Sequence, residues 1–241
     1  MKICRINGQL LLLMLAEKLI TIGCSIVQAN TDGLFVLRPK NKETEFQQIC
    51  KDWEKLTKLT LEEDRFEAMY QYAINDYLAV KEGYSKTKDP SLLKKKGMFI
   101  DQVKLGKGMD AMIIPEAVNK CLVDKIPVEE TIRNCKDIHK FITYQKVSKD
   151  YSVEYNGELI QRINRYYVST NGPWLYKCKV DNTGEKEKRF NYIKLLTDSG
   201  VTIMNKIEDN QSIPDNINYR FYISAANKIV SFFKNKQLTL F

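Results

Sequence analysis

The sequence predicts a mixed α+β fold, and three observations support that class. The 241 residues are 44% hydrophobic, which is enough for the core of one or two domains. Apolar residues at helical spacing alternate along the chain with short β-prone runs that end in Asn, Asp and Gly turns. No low-complexity stretch is present, and this composition excludes a disordered, collagen-like or coiled-coil chain.

The first 80 residues carry the pattern of two helices, one β-hairpin and two further β segments. Strong helix formers occupy residues 9–22, and Gly23 then supplies a stop. Turn-forming residues separate two β-prone runs, which predicts a hairpin with Asp32 at its tip. The predicted elements are a helix over 9–22, strands over 25–28 and 34–37, a helix over 42–59, and two β segments over 66–80 broken at Asn75-Asp76.

The later part of the chain is predicted to mix helices and strands after a lysine-rich stretch over 83–108. Proline near the first turn of each predicted helix supports two helices in the middle of the chain. The predicted elements are helices over 115–124 and 128–144, β-prone segments over 159–169 and 174–180, and helices over 190–196 and 219–233.

The charge is unevenly distributed along the chain. The net charge is +8 and the isoelectric point is about 9.0. Counting charged residues gives a net charge of −1 for residues 1–80 and +9 for residues 81–241. This excess favours an anionic partner such as nucleic acid or an acidic membrane face, and the later part would bind it. A lysine-rich solvated surface is the alternative interpretation.

The cysteines and the histidine do not have the spacing of a zinc site. None of the six cysteines forms a C-x-x-C pair, and His139 has no second histidine with which to share a metal. We therefore expect His139 to be a structural or surface residue. The absence of a secretion signal favours a reducing cytosol. The apolar run over residues 10–16 is too short to span a bilayer and is predicted to be the buried stripe of a helix, so no membrane partner is expected.

The hairpin tip over residues 30–33 offers one carboxylate to a metal ion. A carboxylate at such a tip stands clear of the sheet, and Mg²⁺ prefers oxygen ligands, so Asp32 is a candidate metal ligand beside a bound phosphate. Ordinary turn chemistry is the alternative explanation, because Asp-Gly is common in hairpin turns.

Two segments resemble the helix and catalytic hairpin of phage-type family B DNA polymerases. They are Asn7-Gly8-Gln9-Leu10-Leu11-Leu12-Leu13-Met14-Leu15-Ala16-Glu17-Lys18-Leu19 and Ile26-Val27-Gln28-Ala29-Asn30-Thr31-Asp32-Gly33. The hairpin of that family, motif C, commonly reads Asp-Thr-Asp-Ser. Its second aspartate ligates the catalytic Mg²⁺ ions and maps to Asp32, while Asn30 and Gly33 replace the first aspartate and the serine beside Thr31. An asparagine oxygen can still reach a metal-bound water.

Downstream segments continue the resemblance in the family's order. Tyr77 matches the tyrosine of a Lys-Lys-x-Tyr segment near the primer terminus, although both lysines are missing; a half-buried strand aromatic is the alternative. The Lys94-Lys95-Lys96-Gly97 run resembles a lysine-glycine element that precedes the thumb, and flexible ammonium groups suit phosphate contacts. Arg162 and Arg165, beside Tyr166 and Tyr167, are similar to a DNA-contacting thumb surface; on a strand they would face opposite sides.

The last five residues resemble the short peptide by which bacterial replication proteins bind the sliding clamp. Apolar anchors and one amide on a free end can insert into a hydrophobic pocket. A frayed tail or a final edge strand is the alternative. The residues implied in clamp binding are Gln237, Leu238, Leu240 and Phe241.

The resemblance implies the end of a polymerase palm, with a β-hairpin packed on helices, followed by a mixed, largely helical thumb. The implied boundaries are residues 1–97 for the palm part, 98–236 for the thumb and C-terminal region, and 237–241 for the clamp-binding tail. The family's motif A, motif B and exonuclease patterns do not occur among the 241 residues. Two-metal catalysis needs more carboxylates than Asp32, so we do not expect this chain to polymerise alone.

Two explanations of this partial motif set remain open. The chain is a C-terminal fragment of a DNA-directed DNA polymerase, or it is a subunit of a split enzyme completed by an N-terminal chain. Its partners would be primer–template DNA, dNTP, Mg²⁺ and a host or phage sliding clamp. The expected location is the cytoplasm, and for a phage-encoded chain this is the cytoplasm of the bacterial host. The alternative is a noncatalytic, clamp-tethered DNA-binding protein, and a small metal-dependent nuclease using Asp32 is a third possibility.

Overall fold

The computed structural model describes residues 2–30, 33–102, 111–183, 187–196, 199–208 and 211–234, with backbone only for residues 2–6. The chain divides into two compact units, Met1–Arg65 and Phe66–Phe241. The predicted boundary between residues 97 and 98 thus falls inside the second unit. The α+β class is confirmed.

The first unit consists of two helices and one hairpin. Its core joins Leu15 and Leu19 of the first helix to Trp53 of the second, and the Trp53 indole N–H donates to the Leu11 carbonyl at 2.8 Å. The predicted order of elements in this part is confirmed, although the first helix begins earlier than predicted. The elements are α1 (Lys2–Thr21), β1 (Ser25–Ala29), β2 (Leu34–Leu37), a 3-10 turn (Lys40–Lys42) and α2 (Glu43–Thr57).

Helix α1 buries only one of its apolar faces. Leu15 and Leu19 are 4% and 1% exposed and face the core of the unit. In contrast, Leu10, Leu13 and Ile20 are each more than half exposed. The prediction that residues 10–16 form a buried stripe therefore holds for only part of the run, because leucines occur on several sides of the helix.

The second unit contains three antiparallel sheets and four helices within its described residues. Strand order is β3-β4-β5 in the first sheet, β12-β9-β6 in the second and β11-β10-β7-β8 in the third. The elements are β3 (Phe66–Ala73), β4 (Asp76–Lys81), α3 (Tyr84–Thr87), β5 (Leu93–Lys96), α4 (Ile113–Asp124), α5 (Val128–Asn134), β6 (Thr143–Lys146), β7 (Ser152–Tyr155), β8 (Glu158–Ile160), β9 (Ile163–Val168), β10 (Leu175–Asp181), β11 (Lys188–Lys194), β12 (Val201–Ile203) and α6 (Tyr219–Lys234), with 3-10 turns at Pro90–Leu92, Gly97–Phe99 and Ile138–Phe141.

Helices α4 and α6 pack with the first two sheets into one large core. Tyr222 of α6 lies at its centre and is fully buried. Its hydroxyl donates to the Phe141 carbonyl at 3.0 Å and accepts from the Val168 N–H at 2.8 Å. These two hydrogen bonds satisfy the only polar atom of a large apolar side chain, which is the usual requirement for burying a tyrosine.

A smaller core lies under the four-stranded sheet. Val153 of β7 and Leu175 of β10 are buried there beside Tyr166 and Val201. Cys178, also on β10, is fully buried as a free thiol.

One predicted helix is shorter than predicted, and another is a strand. The helix over 128–144 ends at Asn134, because the Asp137 carboxylate caps a 3-10 turn by accepting the His139 N–H at 2.9 Å, and β6 follows. The segment over 190–196 is mostly the strand β11, whose aromatic side chains pair across to β10. The expectation of a largely helical region after residue 98 is therefore also wrong, since β6 to β12 all lie there.

The other predicted elements are confirmed with shifts of a few residues at their ends. They are the two strands of the first hairpin, the β3–β4 pair broken at Asn75-Asp76, and the helices α2, α4 and α6. The β-prone segment over 159–169 is interrupted into β8 and β9. None of the helices in the described ranges is both long and apolar enough to cross a membrane.

Candidate nucleic-acid interface

The turn of the β1–β2 hairpin is closed by Asn30 and Gly33. The Asn30 N–H donates to the Gly33 carbonyl at 3.1 Å, and the Gly33 N–H donates to the Asn30 side-chain oxygen at 2.9 Å. Asn30 thus stabilises the turn with its side-chain oxygen, a task that an aspartate oxygen would perform equally. Thr31 and Asp32, which lie between them in the sequence, are outside the described residues.

The lysine run of β5 presents two lysines on one face of the sheet. Lys94 pairs across to Ala79 and Lys96 pairs across to Tyr77, so both side chains share the face of those two β4 residues. Lys94 and Lys96 are exposed. Tyr77 is only 6% exposed, and the Lys96 Nζ lies 5.7 Å from the centre of its ring. Tyr77 therefore offers almost no surface of its own, but its ring lies beside an exposed cation.

Lys95 faces the opposite side and is held within the fold. Its Nζ lies 2.7 and 2.8 Å from the two carboxylate oxygens of Asp101. The same carboxylate accepts the Asn119 side-chain N–H at 2.9 Å, which connects β5 to α4. Lys95 and Asp101 are 19% and 12% exposed in their side chains, so the pair is structural. Of the predicted lysines, Lys94 and Lys96 are the better candidates for DNA contact.

Gly97 ends the lysine run in a conformation that only glycine adopts easily. Its φ is +61°, and a Cβ there would collide with the Asp76 carboxylate and the Asn75 carbonyl oxygen. The Asp76 carboxylate also accepts the Met98 N–H at 2.9 Å. The β3–β4 turn therefore fixes the corner at which the chain leaves the two exposed lysines.

The structure places the predicted arginines at the surface and the two predicted tyrosines in the interior. Arg162 and Arg165 are exposed, and the Arg165 guanidinium lies 5.9 Å from the centre of the Tyr144 ring. Tyr166 and Tyr167 are 4% and 3% exposed. The aromatic part of the predicted surface is therefore wrong, because both tyrosine rings belong to the core, and DNA contact by the two arginines stays a prediction.

An open pocket of about 770 Å³ lies between α4, α5 and the 3-10 turn at Ile138–Phe141. His139 lines it, as does Glu116, whose carboxylate pairs with Lys120 and Lys140 at 2.7 Å each. Burial acts to raise the pKa of Glu116, but the two lysine partners outweigh it and the pKa is lowered. Three lysines and three carboxylates line the pocket, so its charge favours neither anions nor cations.

Three lysine–aromatic contacts in the four-stranded sheet were not predicted. Lys177 and Lys179 place their Nζ atoms 5.0 and 5.9 Å from the centre of the Tyr151 ring. Lys194 places its Nζ 3.8 Å from the centre of the Trp174 ring. The alternation of lysines at 177 and 179 within a β-prone segment is the signal that could have revealed the first pair. The contact of Lys194 was not predicted because the segment over 190–196 was predicted to be a helix.

The predicted clamp-binding residues and the predicted metal ligand cannot be placed. The clamp-binding residues Gln237, Leu238, Leu240 and Phe241 lie outside the described residues, which end at 234. Within the described ranges, no group of three or more His, Cys, Asp or Glu side chains could hold a metal ion. Mg²⁺ binding by Asp32 stays a prediction.

No family model, no curated protein and no solved structure matches the chain. The resemblance to family B polymerases therefore rests on the sequence motifs alone.

Proposed function

We propose that the chain is the C-terminal part of a family B DNA polymerase, as a fragment or as a subunit of a split enzyme. In this proposal Asp32 supplies one carboxylate ligand of a two-Mg²⁺ site, and exposed lysines of the later part bind the DNA backbone. Two Mg²⁺ ions would stabilise the attacking and leaving oxygens of nucleotidyl transfer. A chain carrying motifs A and B would supply the remaining ligands and the dNTP site.

The observation that carries the proposal is the helix α1 followed directly by the β1–β2 hairpin. Asn30 and Gly33 close the turn of that hairpin, and the sequence between them is Thr31-Asp32. A turn held by hydrogen bonds on both flanks suits a single carboxylate that must be presented to a metal ion. The order helix, then hairpin, then lysine-glycine element is the order in which the family carries its motifs.

The surface of α1 supports the need for a second polypeptide. Leu10, Leu13 and Ile20 are 57%, 53% and 54% exposed, and Val27 of β1 is 53% exposed. Exposed apolar side chains concentrated on one helix and the adjoining strand are typical of a surface that another chain covers. An N-terminal polymerase chain is the partner that the missing motifs require.

The lysine-glycine corner supports backbone contact with DNA. Lys94 and Lys96 extend from the same face of the sheet, and the Met98 N–H directly after Gly97 donates to the Asp76 carboxylate. Ammonium groups on flexible stems bind phosphates without reading sequence, as a polymerase requires.

Primer extension by a reconstituted enzyme tests the proposal. The chain is purified together with a co-encoded polypeptide that carries motifs A and B, and extension of a primer–template is measured with Mg²⁺. We expect activity that needs both chains and is lost in Asp32→Ala. The matched control is Asp52→Ala, which removes an exposed carboxylate from α2 of the same unit and should leave extension unchanged.

Two results would contradict the proposal. The first is an absence of extension from the combined chains, and the second is extension that survives Asp32→Ala. In either case, DNA binding that weakens steeply with salt would favour the noncatalytic, clamp-tethered protein, because that alternative needs the lysines and the tail but not Asp32.

A further inference from the structure

One face of the β10–β11 strand pair combines lysines with exposed apolar side chains. Lys177 pairs across to Ile193, Lys179 to Phe190, and Asp181 to Lys188, and paired residues share a face of the sheet. Phe190 and Ile193 are 44% and 45% exposed. Lys177 and Lys179 are half-buried, because the same face continues into the smaller core at Val153, which pairs across to Lys177. We call this surface the lysine–aromatic face; its residues are Tyr151, Lys177, Lys179, Lys188, Phe190 and Ile193.

A bulge in β11 brings Phe190 and Ile193 to the same side. Residues three apart on a regular strand face opposite sides. Here the register shifts between Lys177 and Lys179, and Asn191 adopts a positive φ of 55°. The extra residue of the bulge restores the alternation, so both apolar side chains join the lysines.

The part of the chain that the structure describes does not neutralise the lysines of this face. Among the described residues, no carboxylate forms an ion pair with Lys177, Lys179 or Lys188. Asp181 is the acidic residue that pairs across to Lys188 on this face. Its carboxylate accepts hydrogen bonds from the Thr183 N–H and hydroxyl at 2.9 and 2.7 Å. The Tyr151 ring, contacted by two ammonium groups, keeps these cations together at one place.

The opposite face of the same sheet is different, because most of its charges are paired. Arg189 pairs with Glu154 at 3.0 Å and with Glu187 at 2.7 Å. The Tyr192 hydroxyl donates to Glu154 at 2.8 Å. Lys194, stacked on Trp174, is the cation of that face without an ion pair among the described residues. The lysine–aromatic face therefore carries three lysines without an ion pair among the described residues, against one such lysine on the opposite face.

We propose that the lysine–aromatic face binds single-stranded DNA. Single strands offer both phosphates and the flat faces of unpaired bases, and proteins bind them with cations interleaved with aromatic rings. Lys177 and Lys179 lie about 7 Å apart along one strand and can follow an extended backbone, while Phe190, directly across from Lys179, receives a base. A duplex hides its base faces and would leave Phe190 unused. The inference goes beyond the proposed polymerase role and does not depend on it.

Fluorescence anisotropy with labelled oligothymidylate tests this face in the full chain. For the double variant Lys177→Gln and Lys179→Gln, we expect weaker binding and a salt slope reduced by about 1.4, or about 0.7 for each lost phosphate contact. For Phe190→Leu, which keeps an apolar side chain but removes the ring, affinity should fall about fivefold or more. Phe190→Tyr keeps the ring and should retain binding.

Lys194→Gln is the matched control, because it removes one charge from the other face of the same sheet. It should leave both the affinity and the salt slope nearly unchanged. Circular dichroism and thermal unfolding establish that each variant is folded. The proposal is overturned if the wild-type chain does not bind oligothymidylate, if Phe190→Leu binds as well as Phe190→Tyr, or if Lys194→Gln weakens binding as much as the double variant does. Binding to phosphatidylserine vesicles without binding to oligothymidylate would also overturn it.

Discussion

The Lys96 ammonium lies 5.7 Å from the centre of the Tyr77 ring, which belongs to the residue directly opposite on the neighbouring strand. The adjacent lysine, Lys95, faces the other side and pairs with Asp101. Consecutive lysines of one short run therefore differ in surroundings because strand geometry alternates their directions. The difference can be measured, because we expect Lys96 to contribute to DNA binding and Lys95 to folding.

Replacing the two exposed lysines should weaken DNA binding without unfolding the chain. For Lys94→Gln together with Lys96→Gln, the salt slope for a primer–template duplex should fall by about 1.8, or about 0.9 for each lost phosphate contact. Anisotropy titrations at several salt concentrations measure this slope. An unchanged slope would mean that these lysines only solvate the surface.

Replacing Lys95 should have the opposite effect. Lys95→Gln leaves the half-buried Asp101 carboxylate without its cation, so the free energy of unfolding should fall by about 1–3 kcal/mol. Urea denaturation measures this loss. The salt slope for DNA should stay within error of the wild-type slope, and a reduced slope would show that Lys95 also contacts phosphate.

Gly97→Ala should destabilise the second unit more than another glycine substitution at positive φ. The methyl group meets the Asp76 carboxylate and the Asn75 carbonyl in addition to the left-handed backbone conformation. Gly157→Ala is the control, because Gly157 has a φ of +82° but open space around it. We expect a loss of about 1–2 kcal/mol for Gly157→Ala and a larger loss for Gly97→Ala, measured by urea denaturation. Equal losses would show that the structure around Gly97 adjusts to accept the methyl group.

Glu116 should make the stability of the fold sensitive to acid. Burial alone would raise its pKa, but Lys120 and Lys140 hold the pKa below the ordinary glutamate value of 4.5. The stabilisation is therefore fully present above about pH 4.5 and is lost as the pH falls through the lower pKa of the folded state. Unfolding free energies measured across this range should depend less on pH in Glu116→Gln. Glu129→Gln, which alters the exposed pair with Arg133, should behave as wild type.

Removing residues 237–241 should abolish binding to a bacterial sliding clamp. In our proposal the tail supplies the apolar anchors for the clamp pocket, whereas the lysines proposed to bind DNA lie elsewhere in the sequence. A pull-down with purified clamp measures the first effect, and DNA anisotropy should show nearly unchanged affinity. Clamp binding that persists without the tail would exclude these residues from the interface.

The sequence predicted the elements whose causes are local. The β1–β2 hairpin follows from Asn30 and Gly33 flanking its turn, and α2 follows from apolar residues at helical spacing. The helix over 128–144 was wrong because the cap from Asp137 competes with the helix after Asn134. The strand β11 was missed because its conformation depends on pairing with β10, a tertiary contact that composition does not display.

The candidate site was predictable only where residue type alone decides the chemistry. The lysine run could be selected from its residue types, whereas the role of Asp32, which lies outside the described residues, stays a prediction. The burial of Tyr166 and Tyr167 could not, since it depends on which side of β9 faces the core. The lysine–aromatic face was missed for a similar reason: its residues come from three separate segments, and the bulge at Asn191 determines which of them share a side.

The burial of Cys178 gives the chain its own probe of motion in the four-stranded sheet. Thiol reagents attack the exposed thiolate, whereas this side chain is fully buried and burial raises the pKa of its thiol. Labelling at Cys178 therefore requires the groups that cover this thiol to move aside, and its rate reports how often that opening occurs. A ligand bound across β10 and β11 should slow this labelling rate. The rate at Cys178 would then report ligand binding, although the ligand does not contact that residue.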